Sequence, residues 1–287
     1  MDIASVLNKS VLSLENQGIS NPRLDAEVLL CALLKKGRAI LYSHPGEQLT
    51  EKEYEEYQQW IERRKHGEPV AYIVGKREFW SLPFEVSRHV LIPRPETEIL
   101  VEEVLKACAA GRVKNPRILE IGTGCGAISV SLASELKEAY IVATDISREA
   151  IAVAMKNARN NGVENQISFL IGDLFQPVSG KFDIIVSNPP YISEEEYDDL
   201  PSEIQKFEPR LALCAGTDGT EYHGAIIREA ISYLETGGSL LMEMGAGQKD
   251  RIENMLKESH LYDNIAFRAD YASINRVSIA RRIVAGG

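Results

Sequence analysis

The chain has 287 residues, an apolar fraction of 44% and a formal net charge of −10. That composition suits a folded chain with room for one large and one small domain, and it excludes bulk disorder. The acidic balance argues against a broad phosphate-tracking face, no apolar run approaches a membrane-spanning length, and Cys31, Cys108, Cys125 and Cys214 are scattered without a C-x-x-C pair, so neither a zinc site nor a disulfide framework is expected.

Asp2 and Lys9 interrupt the apolar residues of the N-terminus, so no signal peptide is expected and a reducing cytoplasm is the compartment inferred. Residues 1–70 read as helices. Ile3, Val6, Leu7, Val11 and Leu14 form a helical stripe closed by Gly18. Asn21-Pro22 reads as an N-cap with proline in the first turn, ahead of an apolar stretch from Leu24 to Leu34 stopped by Gly37. Thr50 with Glu53 is a capping-box pattern, and Tyr54, Tyr57 and Ile61 then line one face until Gly67. This segment carries no catalytic constellation. A small helical domain of this kind either holds a substrate or only stabilises its neighbour.

Residues 71–92 change character. Tyr72-Ile73-Val74-Gly75 and Phe84-Glu85-Val86 are β-prone and predict a hairpin joining two domains. Leu91 to Glu98 then stiffens the chain with prolines ahead of a helix bearing Leu100, Val104 and Ala107. Arg94 either reaches a ligand carboxylate or pairs with Glu96 or Glu98.

From Arg117 strands alternate with helices, which predicts an α/β domain over 93–287 with a mostly parallel sheet. Ile118–Ile121 is its first strand and Gly122-Thr123-Gly124-Cys125-Gly126 the turn after it, leading into a helix from Ala127 to Leu136. Glycines there let a ligand approach the backbone. Tyr140–Thr144 ends in Asp145, placed either to accept from the ribose hydroxyls of a nucleoside or to cap the next helix. Ile167–Ile171 ends in Gly172-Asp173-Leu174, where Asp173 is suited to an adenine amino group and Leu174 to the ring.

Phe182–Val186 is a buried strand stopped by Ser187-Asn188-Pro189-Pro190-Tyr191. The prolines lack an N–H and hold the preceding residue extended. Asn188 is thereby fixed at a strand's end, suited to gripping a planar group that carries an NH2. Each feature has a bland reading as a turn or loop. Their succession behind consecutive strands is what favours a site. Farther on, Glu194 to Asp199 reads as an acidic mobile loop, Tyr222 to Leu234 as a helix, Gly237-Gly238 as a turn, Ser239 to Met244 as a fifth strand, and Ile265 to Tyr271 with Arg276 to Ala280 as an edge hairpin.

Gly122, Gly124 and Ala127 also satisfy a G-x-G-x-x-A dinucleotide fingerprint. A dehydrogenase has no need of Asn-Pro-Pro-Tyr, however, and Glu120 before the glycines suits an ammonium or sulfonium and repels a pyrophosphate.

Leu91 to Glu98, Gly122 to Ile128, Val186 to Ile192 and Phe207-Glu208-Pro209, in that order, resemble the PrmC/HemK family, and Asp270-Tyr271 with Arg276-Val277 is similar to its C-terminal strand pair. The resemblance implies a Rossmann-like class I S-adenosylmethionine-dependent methyltransferase domain behind a small helical bundle. It implies transfer of methyl to the glutamine side-chain nitrogen of the Gly-Gly-Gln motif in peptide chain release factors, with S-adenosylhomocysteine as product. It implies cofactor contacts at Gly122, Thr123, Gly124, Cys125, Gly126, Asp145, Asp173, Leu174 and Asn188. Substrate and catalysis fall to Asn188, Pro189, Pro190 and Tyr191, with no metal. The chain departs from the family pattern at Leu174, where some members carry Trp, and at Cys125, where Thr is frequent. Release factors are the expected partners, with no stable nucleic acid, no membrane and a monomeric state. The rival readings are a nucleic-acid amino-group methyltransferase and a non-catalytic adaptor.

Overall fold

A computed structural model describes residues 1–111 and 114–284. The chain forms two compact units, Met1–Lys76 with Pro201–Phe207, and Arg77–Leu200 with Glu208–Gly287. Residue 287, the expected end of the second domain, lies outside the described residues.

The first unit is helical: α1 (Ile3–Glu15), α2 (Pro22–Leu34), α3 (Ala39–Ser43), α4 (Glu51–Lys65) and α5 (Val70–Val74). The expected stripe of α1 is buried, and it packs with Leu29, Leu30, Tyr57 and Ile61 in one core. Thr50 and Glu53 make the anticipated capping box of α4. Asn21 is the N-cap of α2 with Pro22 as its first residue, as expected; the departures are in detail. Asn21 makes no side-chain cap bond, and α2 ends at Leu34 through Lys35, which takes the left-handed conformation itself. Tyr72-Ile73-Val74 is helical, not a strand. Pro69 starts that turn, Gly75 ends it at φ 76°, and Ile73 is buried in the helical core, so packing overrides β propensity.

The hairpin lies later, β1 (Lys76–Phe79) against β2 (Leu82–Glu85), turned by Trp80 and Ser81, both with positive φ. Glu98 accepts the Trp80 N–H at 2.8 Å, which helps hold that turn. Next come α6 (Glu98–Gly111), β3 (Arg117–Ile121), α7 (Ala127–Glu135), β4 (Tyr140–Asp145), α8 (Arg148–Asn160), β5 (Ile167–Ile171) and β6 (Phe182–Ser187). The chain continues with α9 (Glu194–Asp198), α10 (Ser202–Phe207, in the first unit), α11 (Glu221–Ala230), β7 (Leu234–Glu243), α12 (Lys249–Glu258), β8 (Tyr262–Ala269) and β9 (Asn275–Arg282).

The large sheet has seven strands in the order β5-β4-β3-β6-β7-β9-β8. β3 to β7 run parallel, and β9 pairs antiparallel with β7. This is the mostly parallel α/β sheet expected from the alternation, in the Rossmann-like class I methyltransferase arrangement that the resemblance implied. Winding runs outward from β3 through β4 to β5 and then reverses to β6. The crevice at that reversal is where open α/β sheets bind ligands.

Three expectations are corrected in this unit. The acidic run from Glu194 is helical: Ser193 and Glu196 form a capping box, and three acids in the first turn suit the helix dipole. The helix expected to Leu234 stops at Ala230, and β7 already begins at Leu234. Gly237-Gly238 lies inside that strand and is not a turn. A Cβ on Gly238 would stand 2.9 Å from the Asp183 carbonyl, so the glycine permits the irregular pairing beside Phe182.

Candidate active site at the carboxyl edge

Register brings the site residues level. Glu120 lies beside Ala143 and Val186, and Ile121 beside Thr144 and Ser187. Asp145 pairs with Ile171, and Ser187 with Met242, so Asn188 comes level with Glu243. The Ser187 hydroxyl donates to the Ile121 carbonyl at 2.8 Å, fixing β6 to β3 where the strand ends.

A cavity of about 290 Å³ opens at this edge, in the size class of small-ligand sites. It is lined by Gly122, Thr123, Gly124, Cys125, Asp145, Asp173, Leu174, Asn188, Pro189 and Pro190. Gly126 and Tyr191 stand outside the lining. Gly126 has a packing role: a Cβ there would lie 3.2 Å from that of Ala154, so the residue lets α8 come close, and its φ of 81° suits the start of α7. Tyr191 directs its hydroxyl to Glu243 Oε1 at 3.5 Å, and its carbonyl accepts from Gln248 Nε2 at 2.7 Å.

The glycine turn is held by two acids. Glu120 Oε2 accepts from the Thr123 hydroxyl at 2.7 Å and from the Ser129 N–H at 3.2 Å. Burial pushes the Glu120 carboxyl up to about 7 despite those bonds. Asp145 Oδ2 accepts the Gly124 N–H at 2.8 Å and Oδ1 the Ser147 N–H at 2.9 Å. Its carboxyl is raised by burial, against the backbone donors. Asp145 does not cap α8. Ser147 does, accepting the Ala150 N–H at 3.0 Å. Cys125 is buried, which lifts its thiol to about 12 and leaves it inert, and its carbonyl accepts from Asn157 Nδ2 at 2.8 Å.

Asn188 faces the cavity. Its Nδ2 donates to the Thr97 hydroxyl at 3.1 Å, so the acceptor end, Oδ1, is not spent on that contact. Arg94 lines the cavity and pairs with neither Glu96 nor Glu98: it binds Glu208 Oε1 at 2.6 Å, and Glu208 also accepts the Ile92 N–H at 3.3 Å. That pair joins the two ends of the motifs Leu91–Glu98 and Phe207–Pro209.

Sequence reasoning missed Thr97, Ile146 and Tyr222, which line the cavity, and Glu243 behind it. Thr97 lay in a proline-rich segment already singled out. Ile146 is 52% exposed and directly follows Asp145, an apolar residue left open at a strand tip. Glu243 carries no local signal, because only the β6–β7 register brings it to Asn188. Among the described residues no three His, Cys, Asp or Glu side chains gather as a metal site, and no helix is long and apolar enough to cross a membrane.

Residues 5–75 match the family described as the PrmC N-terminal domain and residues 95–205 the methyltransferase small domain. A release factor glutamine methyltransferase of Aliivibrio fischeri is 39% identical over 286 residues, covering 99% of both chains. One from Coxiella burnetii is 42% identical over 262 residues, covering 91% of this chain and 92% of that protein. Among solved structures, a methyltransferase from Pyrococcus furiosus aligns with a TM-score of 0.52 at 19% identity, over 79% of this chain and 98% of its own. The hMettl16 catalytic domain, in complex with MAT2A 3'UTR hairpin 6, aligns with a TM-score of 0.58 at 14% identity, over 80% and 82%. At those identities the two structures speak for the fold alone.

Proposed function

The chain belongs to the release factor glutamine methyltransferase family, and from that premise we propose how its carboxyl-edge site acts. The protein transfers a methyl group from S-adenosylmethionine to the side-chain amide nitrogen of the glutamine in the Gly-Gly-Gln motif of peptide chain release factors. The observation that carries the reading is the Asn188 amide, facing the cavity at the end of β6 with its NH2 already bonded to Thr97.

The donor set fits the cofactor. Glu120, held up to about 7, is an acid that a neighbouring ammonium would ionise. Asp145 keeps acceptor capacity beyond its two backbone donors, since a carboxylate has about four lone-pair sites, and that capacity serves ribose hydroxyls. Leu174 and Ile146 offer apolar surface to a base, with Asp173 beside them for an exocyclic amine. Bound there, S-adenosylmethionine supplies a methyl carbon already activated by its sulfonium.

An amide nitrogen is a poor nucleophile because its lone pair is delocalised into the carbonyl. Asn188 Oδ1 and the Pro189 carbonyl each accept one N–H of the substrate, which fixes the plane of the amide and favours charge on nitrogen. Pro189 is buried, its ring fixes its own φ and Pro190 after it holds it extended, so its carbonyl is held at a fixed angle. Positioning of this kind supplies up to about 7–11 kcal/mol in well-oriented reactions. The proton leaves to water. Tyr191 acts from behind, steadying the loop through Glu243 and Gln248.

The helical unit serves release-factor recognition, and the protein works as a cytoplasmic monomer with no stable nucleic-acid partner, in keeping with its net charge of −10. The test is mass spectrometry of a release factor incubated with the protein and S-adenosylmethionine. One added methyl on the glutamine is expected. Methylation of RNA or DNA with the release factor untouched would overturn the reading.

A further inference from the structure

Glu243 ends β7 directly behind Asn188 and is 1% exposed. One of its oxygens, Oε1, meets the Tyr191 hydroxyl at 3.5 Å. The other, Oε2, is buried with no hydrogen-bond partner. A buried acceptor left unpaired is costly and calls for an explanation.

Its surroundings are arranged as donors. Burial pushes the Glu243 carboxyl up to about 7, while the Thr97 hydroxyl, the Arg276 charge and the Asn188 amide favour its ionised form. Glu96 opposes them by its charge. The imidazole of His223, buried and lowered to about 4, is neutral and meets the Glu243 backbone carbonyl at 2.7 Å.

An ionised carboxylate accepts hydrogen bonds and donates none. The Thr97 hydroxyl accepts the Asn188 NH2 at 3.1 Å, which leaves its own proton to turn toward the unpaired Glu243 oxygen once that carboxyl is ionised, above about pH 7. The NH2 end of the Asn188 amide is drawn to Thr97, and the oxygen end is repelled. We propose that Thr97 and Glu243 are positioning residues that decide which end of the Asn188 amide faces the cavity, and so make the site select a carboxamide over a carboxylate. The inference rests on the reading that Asn188 Oδ1 grips the substrate amide.

The consequence concerns specificity. With Oδ1 outward, the site offers acceptors, which suit the NH2 of glutamine and reject the oxygens of glutamate. Replacing Glu243 by glutamine removes the polarity of the chain, because glutamine donates as readily as it accepts. Thr97 can then donate to Asn188 Oδ1, and the NH2 turns to the cavity, where it welcomes a carboxylate.

The experiment measures binding of two release-factor proteins, one with Gly-Gly-Gln and one with Gly-Gly-Glu, to wild type, Glu243→Gln, Thr97→Val and Thr97→Ser, alongside kcat on the Gly-Gly-Gln form. Melting curves and S-adenosylmethionine affinity serve as folding controls. In Glu243→Gln and Thr97→Val the preference for the glutamine form is expected to shrink about tenfold, with kcat falling by a similar factor. Thr97→Ser, which keeps the hydroxyl, should retain wild-type discrimination. If either folded variant discriminates as wild type does, the proposal is overturned, and Thr97→Val answers the question should Glu243→Gln not fold. Asn188→Ala separates the two levels of argument. An active Asn188→Ala enzyme removes the grip itself, whereas an inactive one beside unchanged Glu243→Gln and Thr97→Val variants removes only the orienting role.

Discussion

One buried acid of the helical unit and two at the sheet edge behave in opposite ways. Glu27, in the helical unit, is 1% exposed, yet its carboxyl lies below the usual range. Burial pushes it up, but Tyr42, Arg38 and Arg23 outweigh that; Arg38 and Tyr42 each approach to 2.5 Å. At the sheet edge Glu120 and Glu243 are equally buried, and both are pushed up to about 7. Neither has a hydrogen-bonded cation. The helical unit spends cations on its buried acid, as a scaffold does. The sheet edge leaves Glu120 and Glu243, unlike the Arg94-paired Glu208, short of positive charge, which is the condition for receiving a cation or orienting a polar neighbour.

The largest effect expected at that edge belongs to Asn188→Ala. Removing one preorganised partner of the reacting group lowers kcat by about 10²–10³-fold. S-adenosylmethionine affinity, read by calorimetry, should change little, because the glycine turn and Asp145 remain. Activity within about tenfold of wild type would break the two-acceptor grip.

The next effect tests the contrast between the units directly. A carboxyl raised in the folded state stabilises the fold below its unfolded pKa near 4.5, and that contribution is lost as pH rises through about 7. Glu120 and Glu243 should each cost on the order of 3 kcal/mol across that window in the cofactor-free protein. Urea melts of the wild type at pH 5 and pH 8 (about the ends of the window) should show the loss, and Glu120→Gln or Glu243→Gln should flatten it. Neutral, buried His223 contributes in the opposite direction over part of that interval, so the difference between wild type and each glutamine variant is the measurement, and a loss undiminished in both variants would mean that the two carboxyls are ionised throughout.

Much of this edge was legible in the sequence. The strands β3, β4, β5 and β6 announce themselves as short apolar runs, and their tips carry glycine, Asp145, Asp173 and Asn188 in chain order. Glu243 was not legible, since its link to Asn188 exists only in the β6–β7 register. Tyr191 illustrates a different limit. The resemblance implies a substrate role for it, but its hydroxyl contact with Glu243 is visible only in the folded chain. In the helical unit, Tyr72-Ile73-Val74 misled because β-branched residues fill a helical core as well as a sheet when burial demands it.

Asp145→Ala comes third. A hydrogen bond to a charged group is worth about 1.5–3 kcal/mol, so cofactor affinity should weaken about tenfold to a hundredfold by calorimetry. The loss has two sources, the ribose acceptor and the Gly124 N–H that Asp145 holds. Asp145→Asn distinguishes them. An amide keeps one acceptor oxygen, so it can still hold Gly124 while losing charge toward the hydroxyls. An affinity in Asp145→Asn as poor as in Asp145→Ala would assign the effect to ribose recognition, and a full recovery would assign it to the shape of the turn.

The smallest effect returns to Glu27. In Glu27→Gln the side chain keeps its size but loses its charge, and Arg23 and Arg38, each 55% exposed, can turn to water. That escape limits the cost to about 1 kcal/mol, well below that of stranding a buried cation. The sign of its pH dependence is the useful part. A carboxyl held low in the folded state contributes stability above the unfolded pKa and loses it as pH falls through the folded value. Glu27→Gln should therefore resemble wild type in acid and fall below it near neutrality, the reverse of the change expected for Glu120→Gln. Were Glu27→Gln instead to gain stability on the alkaline side, its buried carboxylate would be as short of compensation as those at the sheet edge, and the distinction between scaffold and site would rest on Asn188 alone.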